Sequence, residues 1–475
     1  MIPVSEQRIV VPFSGHGAGT APLTWGQKTI LQDMRETGWT HNSSGAHNLP
    51  NGTAVEDVAD RLRGLMNRHP ALRTRLATGA DGESYQVVFA SGEIDLVVVD
   101  VADDVEPADA AKYTDQMWYD WLLVPIDPYH QWSLRMAVVR HRAARYLVLT
   151  FGHIVADGTA LTLLMADLGI GRPLSGRTGS GAGPTDALQA LDLARREQTS
   201  QARRVSDRAM QYWESQLRPI PPLTFGEPRY PGRLGKRYWH GRFHSPAAYL
   251  AVLAIANRTR TDTARVLLAV IAIAIGRATG VDPFTAKVIV SNRFRPGFAQ
   301  AIASLSQNSV LTLDLANTTV DEVVAQARRA SMVAGLNAYY DPDQLDELMA
   351  RLDNERGYPA RVSCRINDRR LTARQDVARD TAVTMAQIQE KLPETWLSWD
   401  GDLEHLPEQA FITVEDHPET IHLQVIFDMA SLTEEHVEAL LRGVEEVAIE
   451  AAFDATAPTL VAESRPAGTQ DASAG

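Results

Sequence analysis

His153, Asp157 and Gly158 form the pattern H-x-x-x-D-G, which stands out in this 475-residue chain as a spacing able to do chemistry. A histidine titrates near neutrality, so it can take a proton from an attacking hydroxyl or amine, a role worth about 10²- to 10⁴-fold in rate. An aspartate four residues on, in a turn that reverses into a helix, could hold that loop in shape or orient the imidazole. The glycine after it permits close backbone approach or a positive φ. The same three residues also fit a plainer reading, with a core histidine satisfied by its neighbours and Asp157 as the N-cap of a helix.

Other chemistries lack their usual signatures. The chain has no G-x-x-x-x-G-K-[ST], no G-x-S-x-G and no H-E-x-x-H, and no G-x-G-x-x-G opens a helix after a strand. One cysteine and scattered histidines offer no zinc constellation, so no metal is expected.

The elements that must position the histidine are legible on either side of it. Leu134 to Arg140 and Tyr146 to Phe151 are β-branched and apolar runs joined by a short polar stretch, which predicts neighbouring antiparallel strands. After Gly158, the residues Leu161, Leu164, Met165 and Leu168 share a helical face. His153 is therefore expected where a buried strand meets a helix. Upstream, the patterns predict a strand at Arg8 to Pro12, a helix capped by Thr24, a helix at Val55 to His69, strands at Tyr85 to Phe89 and Ile94 to Val99, and a helix at Ala108 to Leu123.

Gly169 to Pro184 holds six glycines and two prolines in sixteen residues and reads as a linker. One long helix is expected from Asp186 to Leu217, broken by the proline-rich stretch Pro219 to Pro231. Helices and strands alternate again in the second half, down to a last helix at Thr433 to Ala452 and an expected disordered tail. The expected organisation is α/β throughout: an N-terminal lobe over 1–175, a C-terminal lobe over 176–455 and a tail over 456–475.

With 46 Lys plus Arg against 59 Asp plus Glu, the formal charge is −13, a balance that repels polyanions, so nucleic acid and membrane are not expected partners. No run of basic residues precedes a long apolar segment at the N-terminus, and Val266 to Ile275 falls well short of the roughly 20 residues a spanning helix needs. A single thiol permits no intrachain disulfide and suits a reducing compartment, so the expected location is cytoplasmic.

Gly152 to Gly158 resembles the H-H-x-x-x-D-G signature of the condensation domains of nonribosomal peptide synthetases, which share the fold of chloramphenicol acetyltransferase and the wider CoA-dependent acyltransferases. Further stretches match in order. Leu23 to Gln27 is similar to the family's opening L-[ST]-x-[AG]-Q, and Arg68 to Leu76 to its R-H-[EP]-x-L-R-T-x-[FL]. Tyr212-Trp213 with Leu217 resembles its Y-W-x-x-x-L, and Ser291 to Arg293 and Ser306 to Leu311 stand in the places of two later elements. The resemblance spans about residues 20 to 450. It departs from the pattern at Gly152, where the signature has its first histidine.

The resemblance implies an α/β fold of two chloramphenicol acetyltransferase-like lobes in a V-shaped pseudo-dimer, with His153 in a central tunnel. His153 would be the catalytic base or positioning partner, and Gly158 would let the backbone approach a thioester carbonyl. Asp157 and Arg293 would be a structural pair, with Asn308 and Gly152 near the tunnel and acceptor. No cofactor bound by the chain is implied, since the phosphopantetheine arm arrives on a carrier protein that meets the enzyme in trans. The implied activity is transfer of an aminoacyl or acyl group to a small alcohol or amine in natural-product biosynthesis. An acyl-CoA-dependent acyltransferase, or a non-catalytic domain that recruits another enzyme, is the alternative. Trp25, Trp118, Trp121, Trp132 and Trp213 fit either a tunnel lining or core, with core the commoner role.

Overall fold

The computed structural model describes residues 2–38, 41–170, 187–220, 225, 237–370, 382–403 and 408–463. The chain forms two compact units: unit 1 comprises 1–205, 291–307 and 340–342, and unit 2 the remainder. The expected lobe boundary at 175/176 and most of the Gly169 to Pro184 linker lie outside the described residues, as does most of Pro219 to Pro231. The division by contacts falls later, at Val205/Ser206, and unit 1 recovers a stretch from far down the chain.

Unit 1 is built from β1 (Val4–Ser14), β2 (Gly19–Pro22), α1 (Trp25–Thr37), β3 (Ser43–Leu49), α2 (Val55–Arg68), β4 (Thr74–Thr78), β5 (Ser84–Val88), β6 (Ser91–Val101), α3 (Pro107–Leu123), β7 (Leu134–His141), β8 (Ala144–Phe151), α4 (Gly158–Asp167) and α5 (Ala190–Glu197). Its main sheet runs β1-β6-β7-β8-β3, with only the β6–β7 pair parallel, and β2-β5-β4 form a small second sheet. Strand alternation sends Leu134, Met136 and Val138 into one apolar cluster with Val58, Leu62 and Met66 of α2. Ala137, Val139 and Val148 point the other way, against Ala110, Trp118 and Trp121 of α3. The sheet is thus covered on both faces, which is why β7 reads as a continuous apolar run. α1 begins where the sequence places it: Thr24 and Gln27 form a reciprocal capping box, and Gly38 ends the helix with φ 73°.

Unit 2 adds α6 (Ser200–Leu217), which begins within unit 1, then β9 (Tyr238–Ser245), α7 (Pro246–Thr259), α8 (Thr263–Thr279), β10 (Phe284–Val290), β11 (Gln307–Leu313), α9 (Val320–Leu336), α10 (Pro342–Arg356), β12 (Cys364–Asp368), α11 (Met385–Lys391), β13 (Trp396–Leu403), β14 (Ala410–Glu415), β15 (Ile421–Asp428) and α12 (Glu434–Ala451). Its seven-stranded sheet runs β11-β10-β12-β14-β15-β9-β13. The apolar run Val266 to Ile275 is the buried α8, packed among α7, α9 and α12, and no helix among the described residues is long and apolar enough to cross a membrane.

Two expectations are corrected. The predicted long helix is two helices, because the Thr199 hydroxyl accepts from the Ala202 amide and starts α6 afresh. The tail is ordered as far as 463: Ala457 and Val461 are buried in the core of unit 2, and Thr459 Oγ1 donates to the Leu315 carbonyl at 2.6 Å. The rest of the tail lies outside the described residues.

Candidate functional site

β8 carries the chain out of the core at Phe151, and the turn that follows is tied down at once by the Gly152 amide, which donates to the Ser133 carbonyl at 3.0 Å. Asp157 then caps α4, its Oδ1 accepting from the Ala160 amide at 2.9 Å. Both readings of Asp157 hold together, since the N-cap also forms an ion pair with Arg293. Asp157 Oδ2 accepts from the Leu305 amide at 3.0 Å, the Ser306 amide at 3.2 Å and the Ser306 hydroxyl at 3.2 Å. The carboxylate is fully buried, yet both oxygens are hydrogen-bonded, the condition under which a buried charge is tolerated.

Arg293 is held just as closely. Its guanidinium donates to the carbonyls of Phe298 at 3.0 Å, Ala301 at 2.5 Å and Ala303 at 3.2 Å, besides Asp157. Asn292 stands at φ 58° and donates to the Leu305 carbonyl at 2.9 Å. Residues 291–307, which follow β10, are therefore wound into unit 1 around one carboxylate and one guanidinium.

His153 sits beside this strap, half-buried, with Nδ1 3.4 Å from the Ser304 hydroxyl oxygen. Burial pushes its imidazole below the ordinary histidine value, and the Asp157 charge pulls it back by less. At neutral pH the ring is therefore neutral, with a nitrogen lone pair available to accept a proton.

Gly158 is exposed, its φ lies outside the left-handed region, and a Cβ there would meet nothing within 4 Å. The turn does not demand a glycine, so what the residue leaves is open space at the start of α4. Gly152 is different: a Cβ would stand 3.2 Å from Ser133 Cβ and 3.3 Å from its hydroxyl. Ser133 occupies the room that a side chain at 152 would need.

Asn308 lies on β11 and is counted with unit 2, and its buried Oδ1 has no hydrogen-bond partner among the described residues. No group of three His, Cys, Asp or Glu residues among those described could hold a metal ion. The Arg68 to Leu76 stretch is architectural. Arg73 is buried and donates to the backbone carbonyls of Met66, Gly15, His16 and Phe89, while His69 Nε2 meets the Asp167 carboxylate of α4 at 2.8 Å. Trp25 and Trp213 are buried core residues, 2% and 1% exposed.

Sequence reasoning missed Ser304 and the amides of Leu305 and Ser306. Nothing in their residue types distinguishes them, and only the fold brings them within reach of residues about 150 positions earlier.

The family model for the condensation domain matches residues 18–357. Among curated proteins, the chain is 27% identical over 292 residues to cyclosporin synthetase of Tolypocladium inflatum, covering 59% of this chain and 2% of that protein. It is 26% identical over 333 residues to phosphinothricin tripeptide synthetase PhsC of Streptomyces viridochromogenes, covering 68% of this chain and 30% of that one. Among solved structures, the condensation domain that mediates chain release from the enacyloxin polyketide synthase matches with a TM-score of 0.68 at 19% identity, covering 94% of this chain and 85% of that one. SgcC5 of Streptomyces globisporus matches at 0.66 and 17%, covering 92% and 100%. The X-domain from teicoplanin biosynthesis matches at 0.64 and 17%, covering 95% and 99%.

Proposed function

Since the chain belongs to the condensation-domain family, we propose that it transfers an aminoacyl or acyl group from a carrier-protein phosphopantetheine thioester to the hydroxyl or amine of a small acceptor. The observation that carries this reading is the buried clamp of Asp157, Arg293 and residues 303–306, which fixes the loop of a neutral His153. In the proposed reaction His153 takes the proton from the acceptor O–H or N–H as the heteroatom attacks the thioester carbonyl. The tetrahedral adduct then collapses, the C–S bond breaks, and the imidazolium returns its proton to the departing thiolate. The products are an ester or amide and the free thiol of the arm. Gly158 gives the thioester room, because no side chain or neighbour fills the space its Cβ would take. SgcC5 was crystallised with an aryl ethanediol, and that protein's likeness in fold supports an alcohol as acceptor here.

The test is a product assay with an acyl group supplied on a carrier protein in one arm and on CoA in the other. Transfer from the carrier alone is the expected result; transfer from CoA alone would make the chain a small-thioester acyltransferase. His153→Ala should lower turnover about 10²- to 10⁴-fold, and wild-type turnover in that variant removes His153 from the mechanism.

A second reading rests on a specific likeness. The teicoplanin X-domain, similar in fold, has been solved in complex with OxyB, and this chain has Gly152 where the signature has its first histidine. Capture of a partner enzyme with no acyl transfer from any donor would favour it.

A further inference from the structure

The opening element Leu23 to Gln27 has no part in the reaction as described, yet it packs directly on the strap beside His153. A Cβ on Gly26 would lie 1.8 Å from the Ser304 carbonyl oxygen and 2.7 Å from its carbon. The first turn of α1 therefore meets Ser304 backbone to backbone, an approach only glycine allows. Ser304 is held from its other sides as well. The Ala303 carbonyl before it accepts from Arg293 at 3.2 Å and from the Asp157 amide at 3.4 Å, and the amides of Leu305 and Ser306 after it donate to Asp157. Ser304 is 2% exposed, and its hydroxyl oxygen stands 3.4 Å from His153 Nδ1.

We propose that Ser304, pinned by Gly26 and by the Asp157 clamp, is a positioning residue that holds the proton of neutral His153 on Nδ1 and so leaves the lone pair on Nε2. A free neutral imidazole in water carries its proton mostly on Nε2, so a protein that uses Nε2 as a base must supply an acceptor at Nδ1. The Ser304 oxygen is placed to be that acceptor. The inference rests on the proposed base role of His153 for its effect on rate, but not for its effect on the proton.

The two are separated by experiment. In protein labelled with [15N]histidine, the His153 resonances are identified by their absence from His153→Gln. At pH 8 the native protein should show a protonated Nδ1 and a lone-pair Nε2. Ser304→Ala should mix in the opposite tautomer and lower kcat about tenfold, with KM within twofold, whereas Ser304→Thr, which keeps the hydroxyl, should retain both properties. Gly26→Ala, which displaces Ser304 without touching its hydroxyl, should shift the same resonances. A His153 signature identical in native and Ser304→Ala protein overturns the inference. The absence of acyl transfer by native protein from every donor would sink the functional reading instead, and the resonances would still decide this one.

Discussion

Removing the Asp157 carboxylate should be costly for stability as well as for turnover. Asp157→Ala leaves the Arg293 guanidinium, 10% exposed, without its counter-charge, and breaking such a pair costs about 3–5 kcal/mol, measured as a lowered urea midpoint. His153 sets a second expectation. Its depressed value in the folded protein means the ring stays neutral below pH 6.5, so the acid limb of a kcat profile should fall below that pH. A limb at or above 6.5 would show that burial does not govern this imidazole. Restoring the signature's first histidine gives a third. The side chain of Gly152→His would run into Ser133, and overpacking of this kind costs about 1–3 kcal/mol, which the double variant with Ser133→Gly should partly relieve in the same denaturation assay.

At the scale of elements, the local patterns carry most of the framework around the site. β7, β8 and α4 are legible because continuous apolar, β-branched runs give way to a helical period across the His153 turn, and α1 because Thr24 is an N-cap in sequence as in structure. β3 escapes notice because Ser43, Ser44, Gly45, His47 and Asn48 have weak strand preference; pairing with β8 orders them, which only tertiary structure supplies. β9 and β13 carry strand-favouring aromatics, but Gly241, Asp400 and Gly401 break their patterns, and what orders them is the pairing of β9 with β13 and β15. Within the site, His153, Asp157 and Gly158 announce themselves by spacing, whereas Ser304 becomes a contact only through a strap fixed by long-range hydrogen bonds. Thr24 marks how far a local signal reaches into energy: Thr24→Ala should cost about 1 kcal/mol through loss of the cap, seen as a small shift of the thermal midpoint.

Across the whole molecule, histidines link stability to pH. Burial, followed by the charges of His417 and His244, lowers His422 from 6.5 to about 4, and burial also depresses His47, His240 and His244. A histidine harder to protonate when folded than when unfolded leaves stability unchanged above pH 6.5 and costs stability as pH falls from there to its folded value. His422 alone accounts for up to about 3 kcal/mol at about 1.4 kcal/mol per pH unit, reduced by solvent reaching its exposed neighbour His417. The urea midpoint should therefore decline between pH 6.5 and 4, more shallowly in His422→Gln. The strap of residues 291–307 has a consequence in time. The partners that complete Asp157 lie 136 or more positions further along the chain. At about 5–20 residues per second, the ribosome needs roughly 7–30 s to add them after Asp157. Through that interval the N-terminal unit holds a carboxylate with no guanidinium to meet it, so the half synthesised first is obliged to wait for the half synthesised second.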